Sequence, residues 1–330
     1  MSVVRHDEAH GVAGDGRTGA EMLQTPDISL VCPCYNEEEA VSAFVERVVP
    51  ILESLGLTYE LVFVNDGSTD RTLEKLLDLK RTHSFVRVID LARNFGKEAA
   101  LTAGIDASRG KAVVPMDADL QDPPELLPEM VGKWREGYEV VLARRVRRDG
   151  DAFLKRLTAR WFYRLHNAIS DIELPENVGD FRLLDRVAVE ALKRLPENQR
   201  FMKGLFAWVG FRTATVDYER PARAVGRTKF NGWALWKLAV EGITSFSSAP
   251  LRVWLYVGVL IACLSFLYGA WIVFKTLAFG RDVPGYASLI TVVLFLGGVQ
   301  LMGLGVLGEY IGRIYQEAKR RPVYVVRREF

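Results

Sequence analysis

The chain has 330 residues, 49% of them hydrophobic and 25% charged, an ordinary balance for a folded protein of one large domain or two. Its 43 basic and 41 acidic residues leave a formal net charge of +2, which excludes the strongly basic balance of a typical nucleic-acid binder. Three cysteines cannot make a disulfide framework, and Cys32, Cys34 and Cys263 read as small apolar residues of a reduced compartment.

In chain order, residues 1–26 are polar, Gly-rich and aperiodic, without the apolar core of a signal peptide, and are expected to form a disordered tail. From Asp27 short β-rich runs alternate with longer helical ones. Residues 28–32, 60–64, 86–89, 112–116 and 140–143 are predicted strands, and 38–55 and 72–81 are amphipathic helices. This alternation predicts an α/β layer with a mainly parallel sheet, whose ligands bind beyond the carboxyl ends of the strands.

Two later segments are predicted to lie on a lipid surface. In 153–167, Leu154, Leu157, Trp161 and Leu165 make an apolar stripe beside Arg156, Arg160 and Arg164. In 231–250, Trp233, Trp236, Val240 and Ile243 do the same. Core helices with a solvated basic face would fit these patterns too.

Residues 254–274 hold no charge, and 287–308 have only Gln300 as a large polar group. At about 1.5 Å per residue each spans roughly the 30 Å of a hydrocarbon core, so 251–312 is expected to be a transmembrane hairpin. Arg252 precedes it, and Arg313, Lys319, Arg320 and Arg321 follow it, which places both termini and the 313–330 tail in the cytoplasm by the positive-inside rule. Gly303, Gly305 and Gly308 match a dinucleotide fingerprint but sit inside the second span, so they read as small residues for helix packing.

Polar clusters follow four of the predicted strands: Asn36-Glu37, NDGSTD at 65–70, Arg93-Asn94 and DADLQDPPE at 117–125. If extended geometry persists, Asp117 and Asp119 point the same way. Such hard oxygen ligands suit Mg²⁺ or Mn²⁺ held jointly with a phosphate. The same run also reads as a turn, which Asp and tandem Pro favour.

Together, VCPCYNE at 31–37, NDGSTD, LARNFG at 91–96 and DADLQDPP resemble family-two glycosyltransferases of the GT-A fold. GDFRLL at 179–184, QRF at 199–201, GRTKF at 226–230 and GEYIGRIY at 308–315, with the two spans, narrow the resemblance to polyprenyl-phosphate glycosyltransferases of the bactoprenol glucosyltransferase (GtrB-like) branch. It covers residues 27–326 and implies a GT-A domain at 27–230.

The resemblance implies site roles. Pro33, Tyr35, Glu37 and Asp66 would line the nucleoside pocket, Asp117 would reach the nucleotide, and Asp119 with Gln121 would bind the divalent cation. Asp117, Asp119 and Asp180 would be the catalytic carboxylates, with Asp180 and Arg182 ordering the acceptor region. Arg144, Arg156, Arg200 and Lys229 would hold the acceptor phosphate, for which arginine is well suited. The rest of the basic run 144–148 reads equally as a solvated patch. Asp70 reads as a helix N-cap, Asp122 as a turn residue, and Lys97 as either a phosphate contact or a solvated lysine. Cys32 and Cys34 replace the aliphatic residues usual in the first motif, and Ala159 stands where many relatives carry serine. Lys97 sits where the branch varies.

No histidine stands near any motif. A lipid phosphate needs no strong base, because its second pKa near about 6 leaves it largely a dianion at neutral pH. The implied reaction is inverting transfer of one sugar, glucose from UDP-glucose, to undecaprenyl phosphate in the lipid bilayer. Mannose, galacturonate or aminoarabinose donors would use the same apparatus. A flippase and a second glycosyltransferase would follow, as in lipopolysaccharide modification, and the membrane helices suit a homo-oligomer. A processive synthase would have more spans and a Gln-x-x-Arg-Trp motif. A non-catalytic scaffold would not need the intact Asp117, Asp119 and Gln121.

Overall fold

Eight strands form one sheet in the order β7-β5-β6-β4-β1-β2-β3-β8. The computed structural model describes residues 25–147, 177–195, 197–198, 200, 202–219, 249–279 and 285–330. The predicted tail, the segment 153–167, all but the last two residues of 231–250, and with them Arg156 and Lys229 lie outside the described residues.

The centre is parallel. β1 (Ile28–Cys34) pairs on one side with β2 (Tyr59–Asn65), which pairs with β3 (Val86–Leu91), and on the other side with β4 (Ala112–Pro115). These strands are near-continuous apolar runs because helices cover both faces of the sheet. α1 (Ala40–Ser54) buries Val41, Phe44, Val45, Val48 and Leu52 at helical spacing. α2 (Thr72–Thr82) packs beside it, and α3 (Lys97–Ala107) lies across β1 and β2. Seven consecutive residues of α3 are buried, and a methyl group at its Gly104 would collide with the Val31 side chain. Only glycine lets this helix approach so closely.

α4 (Leu127–Arg135) leads to β5 (Val140–Arg147), which continues four residues past its predicted end through much of the basic run. β6 (Val178–Asp185) is inserted antiparallel between β4 and β5. α5 (Arg186–Lys193) starts at an N-cap in which the Asp185 side chain accepts the Val187 N–H. After α6 (Met202–Trp208), β7 (Thr213–Glu219) forms one edge of the sheet, parallel to β5.

Two long helices follow, α7 (Ala249–Phe279) and α8 (Tyr286–Ala318), containing both predicted spans. They are long and apolar enough to cross a membrane, and no part of their most apolar stretches is buried inside the protein. Phe266 and Phe279 are each 79% exposed and Leu277 83%, a display of apolar surface that water does not favour. The fingerprint-like glycines lie within α8, where the ring of Trp254 on α7 stands 3.8 Å from where a Gly303 methyl would be.

Residues 313–330 are more than a tail. They finish α8 and then form β8 (Val326–Glu329), which pairs antiparallel with β3 at the edge opposite β7. Tyr324 donates to Asp106 at 2.8 Å, and Phe330 and Val88 exchange backbone hydrogen bonds. The Arg87 guanidinium pairs with Glu329.

Candidate functional site

The chain runs β1, β2, β3 outward on one side of β1 and then returns to place β4 on its other side. Loops leaving the carboxyl ends of β1 and β4 therefore part in opposite directions and leave a crevice. A cavity of about 250 Å³ lies there, lined by Pro33, Tyr35, Glu37, Asp66, Lys97, Asp117 and Asp119 among others.

Hydrogen bonds between the loops after β1, β2 and β3 build one side of the cavity. Asn36 takes the left-handed conformation (φ 56°), its N–H donates to Ser68 Oγ, and its side-chain oxygen accepts from Thr69 N–H at 2.9 Å. The Glu37 N–H donates to Thr72 Oγ1 at 2.8 Å. Asp70 is not the expected N-cap of α2, a place held by Arg71; standing one residue earlier, it accepts from Thr72 N–H at 3.0 Å and from Glu38 N–H at 3.3 Å and so ties the start of α2 to the first loop. Gly67 (φ 64°) lies where a Cβ would stand 2.5 Å from the backbone of Arg93 and Asn94. That close packing brings the third loop against the second.

Asp66 is 2% exposed and spends both oxygens on this third loop, accepting from Phe95 N–H at 2.7 Å and Gly96 N–H at 2.9 Å. Burial pushes its carboxyl above the usual range, more than these two bonds pull it down. Asp66 lines the cavity, but its bonds also make it the brace that sets the entry of α3.

β4 ends at Pro115, and the backbone turns at Leu120 (φ 53°), so extended geometry does not persist through the acidic motif. Asp117, Ala118 and Asp119 nevertheless all line the cavity. Asp119 is held by two neutral donors from Gln121, its backbone N–H at 3.1 Å and its side-chain amide. Burial raises the Asp117 carboxyl despite the neighbouring Lys97, and Glu37 is raised by burial and then by the charges of Asp119, Asp117 and Asp70. The crevice thus concentrates negative charge. Among the described residues no group of three or more His, Cys, Asp or Glu side chains is placed to hold a metal by itself. One or two carboxylates completed by phosphate oxygens are the usual donor set for Mg²⁺, and the residues here fit a cation shared in that way.

Lys97 is about half exposed, yet it is not a free cation. Its ammonium lies 2.8 Å from Asp117 and 2.9 Å from Asp180 on β6. Burial opposes its charge, but the two carboxylates more than compensate and hold its pKa above the usual value. Arg182 is buried, sits over the Phe206 ring and donates to the carbonyls of Gly179 and Asp180, which orders the strand carrying Asp180. Burial lowers its pKa to about 10.

Of the basic residues expected on the acceptor side, the two that are described, Arg144 and Arg200, do not line this cavity. Arg144 makes a two-pronged contact with Asp217 on β7 at 2.7 and 2.9 Å. Arg200 donates to the Leu195 carbonyl at 2.9 Å, and its Nε is buried with no partner among the described residues. Arg145 is not part of a solvated patch: it reaches Tyr218 Oη at 2.9 Å and Asp122 at 3.4 Å. Asp122, in turn, is only 5% exposed and accepts from Tyr218 Oη–H at 2.7 Å. It anchors the loop after Asp119 to the β5–β7 pair, which a local turn reading could not foresee.

Comparison with known proteins follows the same division of the chain. The model for "Glycosyl transferase family 2" matches residues 29–193, and that for "GtrB C-terminal hairpin" matches residues 249–314. The chain is 54% identical over 302 residues to the bactoprenol glucosyl transferase of Shigella phage SfV, covering 92% of this chain and 98% of that protein. It is 52% identical over 301 residues to a prophage bactoprenol glucosyl transferase homolog of Escherichia coli K12, covering 91% and 98%. A solved glucosyl-3-phosphoglycerate synthase from Mycobacterium tuberculosis, in complex with Mn²⁺, UDP-Glc and phosphoglyceric acid, is 22% identical with a TM-score of 0.45, covering 66% of this chain and 80% of that one.

Proposed function

The chain belongs to glycosyl transferase family 2, and from that premise we propose that it transfers one glucose from UDP-glucose to undecaprenyl phosphate at the cytoplasmic face of the membrane. The observation that carries this reading is the union, in one chain, of a carboxylate-floored crevice with an apolar helical hairpin. Similarity to bactoprenol glucosyl transferases over nine-tenths of the chain supports the lipid acceptor and the glucose.

In the proposed reaction a lipid-phosphate oxygen attacks the anomeric carbon opposite the leaving group. The bond from that carbon to the diphosphate breaks, UDP leaves with the electron pair, and the configuration inverts. Pro33, Tyr35, Glu37 and Asp66 bind the nucleoside and Asp117 orients the nucleotide. Asp119 and Gln121 hold Mg²⁺ or Mn²⁺, which when bound neutralises charge developing on the diphosphate. Arg144, Arg156, Arg200 and Lys229 are proposed to balance and orient the acceptor phosphate. The unengaged Nε of Arg200 supports its part in this.

Both termini are proposed to be cytoplasmic. The pairing of β8 with β3 supports this, since strands before and after the hairpin share one sheet and must lie on one side of a bilayer. A cysteine introduced within 281–284 is then labelled from outside intact cells, and labelling only after lysis would reverse the orientation. The decisive assay incubates membranes containing the protein with several radiolabelled nucleotide sugars and identifies the extracted lipid. Labelled undecaprenyl phosphate-glucose formed from UDP-glucose is the expected product. Transfer from another donor alone would replace glucose, and transfer from none would favour a non-catalytic scaffold.

A further inference from the structure

Lys97 occupies a place that elementary electrostatics disfavours. It is the first residue of α3, where the helix macrodipole repels a cation. It is nonetheless fixed there. Asp66 pins the N–H groups of Phe95 and Gly96 just before it, and Gly96 turns the chain with φ 98°.

What the ammonium joins explains the placement. β4 and β6 are neighbours, but they pair only at Ala112 opposite Asp185 and Val113 opposite Leu184. Towards the crevice the ladder is not continued, and there Asp117 follows β4 while Asp180 lies near the start of β6. Lys97 bridges that gap at 2.8 and 2.9 Å. Arg182 contacts the backbone carbonyls around Asp180, not its carboxylate. One Asp180 oxygen accepts from Lys97, and the other is buried with no partner among the described residues. The orientation of the carboxylate therefore depends on Lys97. The next residue, Glu98, accepts the Met202 N–H at 3.3 Å and ties the same helix end to α6.

We propose that Lys97 is a positioning residue of the transfer reaction: its ammonium spans the open end of the β4–β6 pair and fixes the Asp117 and Asp180 carboxylates relative to each other. The inference rests on the glycosyl-transfer reading, and it assigns Lys97 no bond to the donor. It acts through the two carboxylates.

The test compares Lys97→Met, Lys97→Arg, Asp180→Asn and the Lys97→Met/Asp180→Asn double variant in membranes, with UDP-glucose and undecaprenyl phosphate as substrates. Because a displacement of about 1 Å can cost roughly 100-fold, K97M is expected to lower kcat by about that factor. Its KM for UDP-glucose should stay within about threefold of the unsubstituted value, since no shared ground-state contact is removed. K97R, which can still bridge two carboxylates, should recover at least about tenfold of the loss. The double variant should be no slower than D180N, because the two residues act as one unit. Independently of turnover, hydrogen exchange at Val178–Asp185 should rise in K97M and stay low in K97R.

A K97M enzyme with near-normal kcat, a loss confined to the KM for UDP-glucose, or additive losses in the double variant would each overturn the inference. Should K97M fail to fold, K97R and the double variant, which removes the cation together with one of its anions, still decide the matter. If the unsubstituted protein transfers nothing to lipid, the proposed function fails; unchanged hydrogen exchange in K97M would then remove the positioning role as well.

Discussion

Carboxylates stand at both ends of the central strands, under opposite terms. Near the amino end, Glu60 is 3% exposed and fully engaged. It accepts from Ser29 Oγ at 2.6 Å, from the Arg109 N–H at 2.7 Å, and from the guanidinium groups of Arg87 and Arg109 at 3.0–3.1 Å. Burial pushes its carboxyl up, but these partners outweigh it and leave the pKa below the usual range. At the carboxyl end, Glu37 and Asp117 are raised, and among the described residues Asp119 has only neutral donors and one Asp180 oxygen has no partner. The first arrangement is complete and can only stabilise. The second is incomplete, and its missing partners are what the proposed nucleotide sugar and cation would bring.

The strongest challenge to this contrast is Asp119→Ala. It should lower transfer by roughly 1000-fold or more, about 4 kcal/mol of barrier, while the melting temperature in detergent stays nearly unchanged. Undiminished turnover would remove Asp119 from the cation site. Glu60→Ala should do the reverse. Leaving two arginines without their buried anion should cost roughly 3–5 kcal/mol in a denaturant titration, with the KM for UDP-glucose unaltered in the folded fraction.

pH sharpens the comparison, because the two ends titrate with opposite sign. Glu60 has a depressed native pKa, so its contribution is fully present above the unfolded value and is lost as pH falls through the native one. Glu98, beside Lys97, is raised from 4.5 to about 7, by burial first and then by the charge of Asp180. The folded state there holds a proton that the unfolded state has released, so stability declines as pH rises from 4.5 to 7. Glu98→Gln should therefore be more stable than the unsubstituted protein at pH values above about 7, by on the order of 1–3 kcal/mol, as read from unfolding midpoints across pH. The smallest effect is expected from Arg200→Ala, which should raise the KM for lipid phosphate about tenfold, the worth of one charge-assisted bond, and leave that for UDP-glucose nearly constant. An effect on the donor alone would move Arg200 to the other half of the site.

Much of this was legible in the sequence because the central strands advertise themselves. A strand buried on both faces is a continuous apolar run, and the predicted runs at 28–32, 60–64 and 86–89 lie inside β1, β2 and β3. The polar clusters after them fix the end at which the crevice opens. β6 was hidden because Gly179 and Asp180 interrupt its pattern, and β8 because all four of its residues are exposed. β8 is a strand only through the edge that β3 offers, a pairing no local window contains. The roles of Lys97, Arg145 and Asp122 were unreadable for the same reason. Their partners are 20 or more positions away in sequence, and such contacts exist only once β4, β5, β6 and β7 are adjacent.

The two edges of the sheet, β7 and β8, are the strands that flank the hairpin in sequence. The sheet is thus closed in sequence around the hairpin: the chain leaves one rim before the two apolar helices and is knitted into the opposite rim after them.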